Sequence, residues 1–379
     1  RKAVTPTIAV TKAPTKATDE AFLALCKEAH EKNDEQSWKA LADFCTRHEF
    51  QIDWSKGHSK FPVAHFVFVQ IAALKGIRSA QFWLGHCYEN GEGAFPDVGK
   101  AYQWYGESAT QGYPKAKEAL GRCYEFGIGT EKDNKLAFDW YLEAAGANEL
   151  YAQYRLGLAY WRGSLTDKDL KKSVQWFRLA AKQGHADSAH MMGIVYDGGH
   201  GVPKNGQEAV KWYKKAAIKG NVGSQYNLGH SYQDGTVSKD LKEANRWFKM
   251  AAKQGFAKAQ FNLGLNYYFG NGVKQNYEEA NKWFQKAASQ GVREAQWRIG
   301  IGYHKGHGYK KDFQKAKRWF LKAANKGESA AMYNLGTMYE YGDLQKDQKL
   351  ALEWYRKAEA AGSKSAKKRL AELEKAAKD

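Results

Sequence analysis

Cysteine is scarce: four in 379 residues, at Cys26, Cys45, Cys87 and Cys123. That is too few for a fold stapled by disulfides. Long apolar runs are missing as well. The most apolar stretch, Phe61 to Leu74 (FPVAHFVFVQIAAL), falls short of the about 20 residues that a membrane-spanning helix needs. It reads instead as a buried helix or an interfacial segment. There is no Asn-x-Ser/Thr acceptor, which argues against a glycoprotein of the endoplasmic reticulum. There is no His-Glu-x-x-His, no Gly-x-Ser-x-Gly and no paired Cys-x-x-Cys. No catalytic, cofactor-binding or metal residue is therefore expected, and the chain is not expected to be an enzyme.

Acid is short in one part only. Residues 1–150 carry 18 Lys+Arg against 20 Asp+Glu, whereas residues 151–379 carry 41 against 21. The net charge of +18 thus belongs to the last three-fifths. One reading is a lysine-rich solvated face; the other is attraction to an anionic partner, whether acidic protein, lipid headgroup or polyanion. No base-stacking motif accompanies the charge, so nucleic acid is not among the expected partners. The first eighteen residues, RKAVTPTIAVTKAPTKAT, hold no acid and read as a flexible solvated lead-in. Following a removed leader, such a segment fits an exported protein, periplasmic or secreted; cytosolic and organellar locations stay open.

What the chain has in abundance is repetition. An apolar residue, then Gly, then Tyr three positions on, occurs at Leu84-Gly85…Tyr88, Leu120-Gly121…Tyr124, Leu156-Gly157…Tyr160 and Met192-Gly193…Tyr196. It continues at Leu228-Gly229…Tyr232, Leu263-Gly264…Tyr267, Ile299-Gly300…Tyr303 and Leu335-Gly336…Tyr339. Successive spacings are 36, 36, 36, 36, 35, 36 and 36 residues. A second word, Trp plus an aromatic, follows each: Trp104-Tyr105, Trp140-Tyr141, Trp176-Phe177, Trp212-Tyr213, Trp247-Phe248, Trp283-Phe284, Trp319-Phe320 and Trp354-Tyr355. A fixed period of this length marks a repeat architecture in which each unit buries its apolar face only against its neighbours.

Each unit reads as two helices. In the sixth copy, Ala259, Leu263 and Tyr267 make one apolar stripe and predict a helix over about 259–269. Ala280, Trp283, Phe284, Ala287 and Ala288 make another and predict a helix over about 277–290, closed by Gly291. The glycine beside Leu263 lets a neighbouring helix approach closely. Gly270-Asn271-Gly272, with Lys274 behind it, is then an interhelical turn. A phosphate loop would need a preceding strand and a longer glycine frame. The distance from the first turn glycine to the Trp is 13 residues in six copies and 12 in the fifth and eighth.

These two words resemble the Sel1-like repeat family, a relative of the tetratricopeptide repeats. The resemblance covers about residues 79–362 and implies an all-α, right-handed α-solenoid of eight to nine two-helix repeats. Residues 61–76 resemble the second helix of a degenerate earlier copy, with Phe68 near the Trp position. The expected organisation is a flexible segment over 1–18, a helical N-terminal cap over 19–60, the solenoid over 61–362 and a polar capping helix over 363–379. The resemblance implies an adaptor or scaffold that binds a protein or peptide segment in a concave groove. Binding of anionic lipid headgroups or polyanions by the basic half is the alternative.

In the related tetratricopeptide fold the first helix of each pair lines the concave face. On first helices, the residue before the Leu of the first word varies: Trp83, Ala119, Arg155, Met191, Asn227, Asn262, Arg298, Asn334. Four places on, the series includes Asn266, and five after the Leu it includes Trp161 and Tyr268. The expected partner-binding set is therefore Trp83, Arg155, Trp161, Asn227, Asn262, Asn266, Tyr268, Arg298 and Asn334, with the amides gripping a peptide backbone and the arginines pairing acids. A purely structural role, hydrogen bonding between adjacent repeats, is the competing expectation. Cys26…His30 with Cys45…His48 has a spacing that could give four zinc ligands, but thiols are often only buried small apolar groups; unlinked thiols are the expectation, with a Cys26–Cys45 disulfide the alternative ahead of zinc. His304 and His307 are expected to be a solvated pair flanking a turn.

Overall fold

The computed structural model describes residues 76–376 together with Phe66, Val69, Gln70, Ala73 and Leu74. Among these residues there are seventeen helices and no strand. The chain divides into two compact units between His185 and Ala186. The first unit contains the pairs α1 (Arg78–Asn90) and α2 (Val98–Thr110), α3 (Pro114–Phe126) and α4 (Asn134–Gly146), and α5 (Leu150–Arg162) and α6 (Leu170–Lys182). The second contains α7 (Ala186–Gly198) and α8 (Gly206–Ile218), α9 (Val222–Asp234) and α10 (Leu241–Lys253), and α11 (Ala257–Phe269) and α12 (Tyr277–Ser289). It continues with α13 (Arg293–Lys305) and α14 (Phe313–Ala324), α15 (Ser329–Tyr341) and α16 (Gln348–Ala360), and ends with α17 (Lys364–Ala376). Within each unit every helix packs on the one before it, the pattern of an α-solenoid.

Each repeat is joined by one contact between its two words. The aromatic after the Trp lies across the glycine of the first helix. A Cβ on Gly264 would stand 2.6 Å from the Phe284 ring, and the same clash recurs from Gly85 against Tyr105 to Gly336 against Tyr355. Glycine is needed there because no side chain fits beneath a buried ring. These rings fill the interior together with the Leu or Ile of the first word and the alanines of the second helix.

The helix ends follow local rules. An Asx residue stands seven positions before every Trp, and each accepts a backbone N–H of the first turn: Asp97, Asp133, Asp169, Asn205, Asp240, Asn276, Asp312 and Asp347. Each such cap is worth ~1 kcal/mol. At the turn quoted above, Gly270 ends α11 in the left-handed region with φ of +76°. Gly272, at φ of +68°, lies against the start of α10 in the preceding repeat, where a Cβ would come within 2.5 Å of the Leu241 carbonyl. The second turn glycine is thus an inter-repeat contact.

A glutamine ladder also ties repeats together. Buried Gln81, Gln153, Gln225, Gln260 and Gln296 donate to the carbonyl eight residues back, on the preceding second helix. Gln111, Gln183, Gln254 and Gln290 then donate to the side-chain oxygens of the first four, at 2.6–2.9 Å. At the end of the second unit, α17 sets Ala366 and Leu370 into the interior of the eighth repeat. Phe66, Val69 and Ala73 are buried; Phe68, the lead-in, residues 19–60 and the Cys26, His30, Cys45 and His48 group lie outside the described residues.

Candidate functional site

The face to test is the one made by first helices, and its polar residues obey a rule. Where the aromatic after the Trp is Tyr (105, 141, 213, 355), the residue five after the Leu is an acid: Glu89, Glu125, Asp197 and Glu340. Where it is Phe (177, 248, 284, 320), that residue is Trp161, Gln233, Tyr268 or His304. A buried phenol hydroxyl requires an acceptor and a phenyl ring does not. Tyr105 donates to Glu89 at 2.6 Å, Tyr141 to Glu125 at 2.9 Å and Tyr355 to Glu340 at 2.6 Å. The fourth repeat departs from this: Asn227 donates to the Tyr213 oxygen, and Asp197 acts on the hydroxyl through space.

Each of the three glutamates also pairs with an arginine two helices along, on the next first helix or, at the end, on α17. Arg122 pairs with Glu89, Arg155 with Glu125, and Arg369 of α17 with Glu340. Burial alone would raise the Glu89 carboxyl, but hydrogen bonds from Arg122 and Tyr105 hold it below the usual value; Glu340 is held down in the same way by Arg369 and Tyr355. Arg155 therefore has its acid within the chain: it bonds Glu125 and lies over the Phe126 and Tyr141 rings. The expectation that it pairs a partner's acid is replaced by the structural role.

Two other expected binders belong to the interior. Asn266 is 5% exposed and donates to Asn245 at 2.7 Å, while Asn245 donates to the Asn271 carbonyl at 2.6 Å. Tyr268 is 8% exposed, and its hydroxyl meets His307 Nδ1 at 2.7 Å. Both are removed from the candidate surface, because the position three after the Leu points between repeats and Tyr268 fills the space a glutamate takes elsewhere. The remaining candidates are half-buried. Trp83 makes edge contacts with Phe82 and His86. Trp161 already has interactions within the chain. Asn262 hydrogen-bonds His230 Nε2 at 3.0 Å, and Asn334 accepts from Trp297 Nε1 at 2.7 Å.

Arg298 differs from all of these. It occupies the register of Arg155, over Trp297, Phe269 and Tyr268 at 4.5, 5.4 and 5.5 Å from the ring centroids. Its Nε is buried without an acceptor, as is that of Arg155, but where Glu125 pairs with Arg155 no carboxylate of the described residues pairs with Arg298. Burial holds its pKa below the usual guanidinium value, with Tyr268 opposing. The second unit thus carries Asn227, Asn262, Arg298 and Asn334 at one register in four successive repeats.

The histidine expectation is corrected. His307 stacks on Tyr277 at 4.5 Å and bonds Tyr268, while His304 meets Asp343 at 2.5 Å. They bridge in opposite directions to neighbouring repeats and are not a solvated pair. Among the described residues no group of three or more His, Cys, Asp or Glu is placed to hold a metal ion. Cys87 and Cys123 are buried free thiols, both pushed up to about 12 by burial. A cavity of about 340 Å³ in the first unit is lined by Phe82, His86, Glu89, Tyr105, Glu118 and Arg122. No described helix is long and apolar enough to cross a membrane.

The acid–Tyr rule, the Asx caps and the glutamine ladder escaped the sequence reading, although all three are periodic. Comparing the column five after the Leu with the residue after the Trp would have exposed the first.

A family model described as Sel1 repeat matches residues 78–113, 114–148, 150–185, 186–221, 222–256, 257–292, 293–328 and 329–363. The chain is similar to the solved structure of c5321, a protective antigen present in uropathogenic Escherichia coli strains and displaying an SLR fold. Identity is 34% and the TM-score 0.78, covering 81% of this chain and 67% of that one. It is also similar to a Sel1 repeat protein from Oxalobacter formigenes, at 30% identity and a TM-score of 0.59, covering 81% and 89%. No curated protein matches the chain.

Proposed function

The chain belongs to the Sel1 repeat family, and from that premise we propose that it is a non-catalytic adaptor that holds a segment of a protein partner on the first-helix face of its second unit. One observation carries this reading. The residue before the Leu is half-buried and polar in four successive repeats, as Asn227, Asn262, Arg298 and Asn334, while the Leu or Ile, Gly and ring around it stay in place to hold the fold. Amides and a guanidinium spaced by one repeat, ~10 Å, suit an extended backbone, which covers that span in about three residues. The test is capture from native extract, washed at low and at high salt, by the chain and by its Asn262→Ala/Arg298→Ala/Asn334→Ala variant. A protein that survives high salt and is lost in the variant, with melting unchanged, supports the reading.

A second reading has its own observation. Lys215, Lys286, Lys322 and Lys357 lie over Trp212, Trp283, Trp319 and Trp354 at 4.2–4.5 Å, so the second helices of the fourth, sixth, seventh and eighth repeats carry a cation at one register, the fifth having Met250 there. We keep anionic lipid or polyanion binding on those lysines as the alternative. Capture that washes off with salt and ignores the triple variant would favour it, since polyanion contacts weaken steeply with ionic strength.

A further inference from the structure

Three arginines of this fold share a seat. Arg155 lies over Phe126, Arg298 over Phe269 and Arg369 over Tyr341, each aromatic being the last residue of the preceding first helix. In two of the three seats the residue before that aromatic is a glutamate, Glu125 or Glu340, and it pairs with the arginine. In the third it is Tyr268, whose hydroxyl is directed to His307. The nearby acids are engaged elsewhere: Glu294 and Glu328 with Arg293, and Asp343 with His304. Arg298 therefore keeps the aromatic support of its counterparts and lacks their carboxylate.

We propose that the Arg298 seat takes a carboxylate from the bound partner, so that the partner supplies in the seventh repeat what Glu125 supplies to Arg155. This rests on the reading that first helices carry the partner segment. The chemistry is specific. Stacking against rings leaves the in-plane N–H groups of a guanidinium as the donors, and a carboxylate matches them two at a time. In the filled seat Glu125 bonds Nη2 of Arg155 and leaves its Nε without an acceptor, so the contact an incoming carboxylate supplies at Arg298 is to the terminal nitrogens. One repeat on, Trp297 can only donate, so Asn334 presents its Oδ1 to that ring and keeps its Nδ2 for an outside acceptor. Phe269, 54% exposed, borders the seat with an apolar edge. The flanking residues at the same register are the amides Asn262 and Asn334, so the row offers a single positive charge, suited to a monoanion. The ligand is an acidic peptide segment whose carboxylate is an Asp or Glu side chain or a chain end.

The test uses the full chain and three probes: an acetylated, amidated hexapeptide of glycine with one Glu, the same peptide with Gln, and acetyl-hexaglycine with a free C-terminus. The readout is the Arg298 Nε–Hε resonance, assigned by its loss in Arg298→Lys. It should move and saturate with a carboxylate probe and stay still with the Gln peptide. Movement with the Glu peptide identifies a side chain as the source; movement with acetyl-hexaglycine identifies a chain end. Tyr268→Glu/Phe284→Tyr rebuilds the pair of the second repeat and should weaken binding at least about tenfold. Arg298→Lys, which keeps charge and fold but not the bidentate edge, should weaken the effective probe by a similar factor in a fluorescence-anisotropy titration. No movement with either carboxylate probe at millimolar concentration overturns the proposal. If Arg298→Lys still captures the partner that the Asn262→Ala/Asn334→Ala variant loses, the carboxylate seat falls and the adaptor reading stands; if none of these variants affects capture, both fall.

Discussion

Removing Glu125 tests the acid–Tyr rule most directly. Tyr141 is fully buried, and its hydroxyl has Glu125 as acceptor at 2.9 Å. The Glu125 and Arg155 side chains are 13% and 14% exposed. Glu125→Ala orphans two groups together. A buried hydroxyl without an acceptor costs roughly 1–3 kcal/mol, and breaking a buried ion pair costs roughly 3–5 kcal/mol. Residual exposure and the Phe126 ring beneath Arg155 moderate the second figure, so a total loss of about 2–4 kcal/mol is expected. In a Tyr141→Phe background the hydroxyl is gone and only the arginine is orphaned. The loss on removing Glu125 should then shrink by about 1–2 kcal/mol, which is the coupling energy of the cycle. Repeat arrays open locally, so one global unfolding free energy blurs the effect. Hydrogen exchange of α3, α4 and α5 amides in the four proteins of the cycle reads it where it acts. A coupling within about 0.3–0.5 kcal/mol of zero, the scatter expected of independent sites, would refute the claim that the acid is there for the hydroxyl.

Gly264→Ala should lower the melting temperature despite the better helix propensity of alanine, because the new Cβ would stand 2.6 Å from the Phe284 ring; overpacking of this kind costs roughly 1–3 kcal/mol. Its control is Gly106→Ala in α2, where nothing lies within 4 Å, and which should stabilise by roughly 0.5–1 kcal/mol; equal effects in calorimetry would sink the packing argument. Burial pushes Glu118 up to about 7 from 4.5, with Arg122 and Arg155 opposing and Glu149 and Glu89 reinforcing. The folded chain then holds that proton more tightly than the unfolded chain. The stability linked to it is present below the unfolded value and is lost as pH rises toward 7. Glu118→Gln should be more stable than the parent above pH 7, by roughly 1–3 kcal/mol, and the two should converge in acid. Parallel melting-temperature profiles from acid to neutral pH would contradict this.

The repeat was legible because its period is carried by residues that stand for backbone requirements. Glycine under a ring, glycine in a left-handed turn, and Trp with a second ring on an apolar stripe cannot be exchanged freely, so they stay in register through eight copies. The expected helix over about 277–290 and the observed Tyr277–Ser289 differ by one residue, since caps are local chemistry. Partner-binding residues were less legible. Asn266 and Arg155 have surface-type side chains, and only their neighbours reveal that one is enclosed between repeats and the other is neutralised by a glutamate 30 residues back.

The sequence alone therefore determined the period, the helix pairs, their boundaries and the all-α class, because each follows from interactions inside one repeat or with the next. Tertiary structure alone decided which polar residues are spent on the protein itself. Arg155 and Arg298 are the same residue at the same register of the first word. What separates them is the side chain each meets from the preceding repeat, Glu125 in one case and Tyr268 in the other. A guanidinium acquires its role from the charge beside it, and that charge is brought there by the packing of one helix on another.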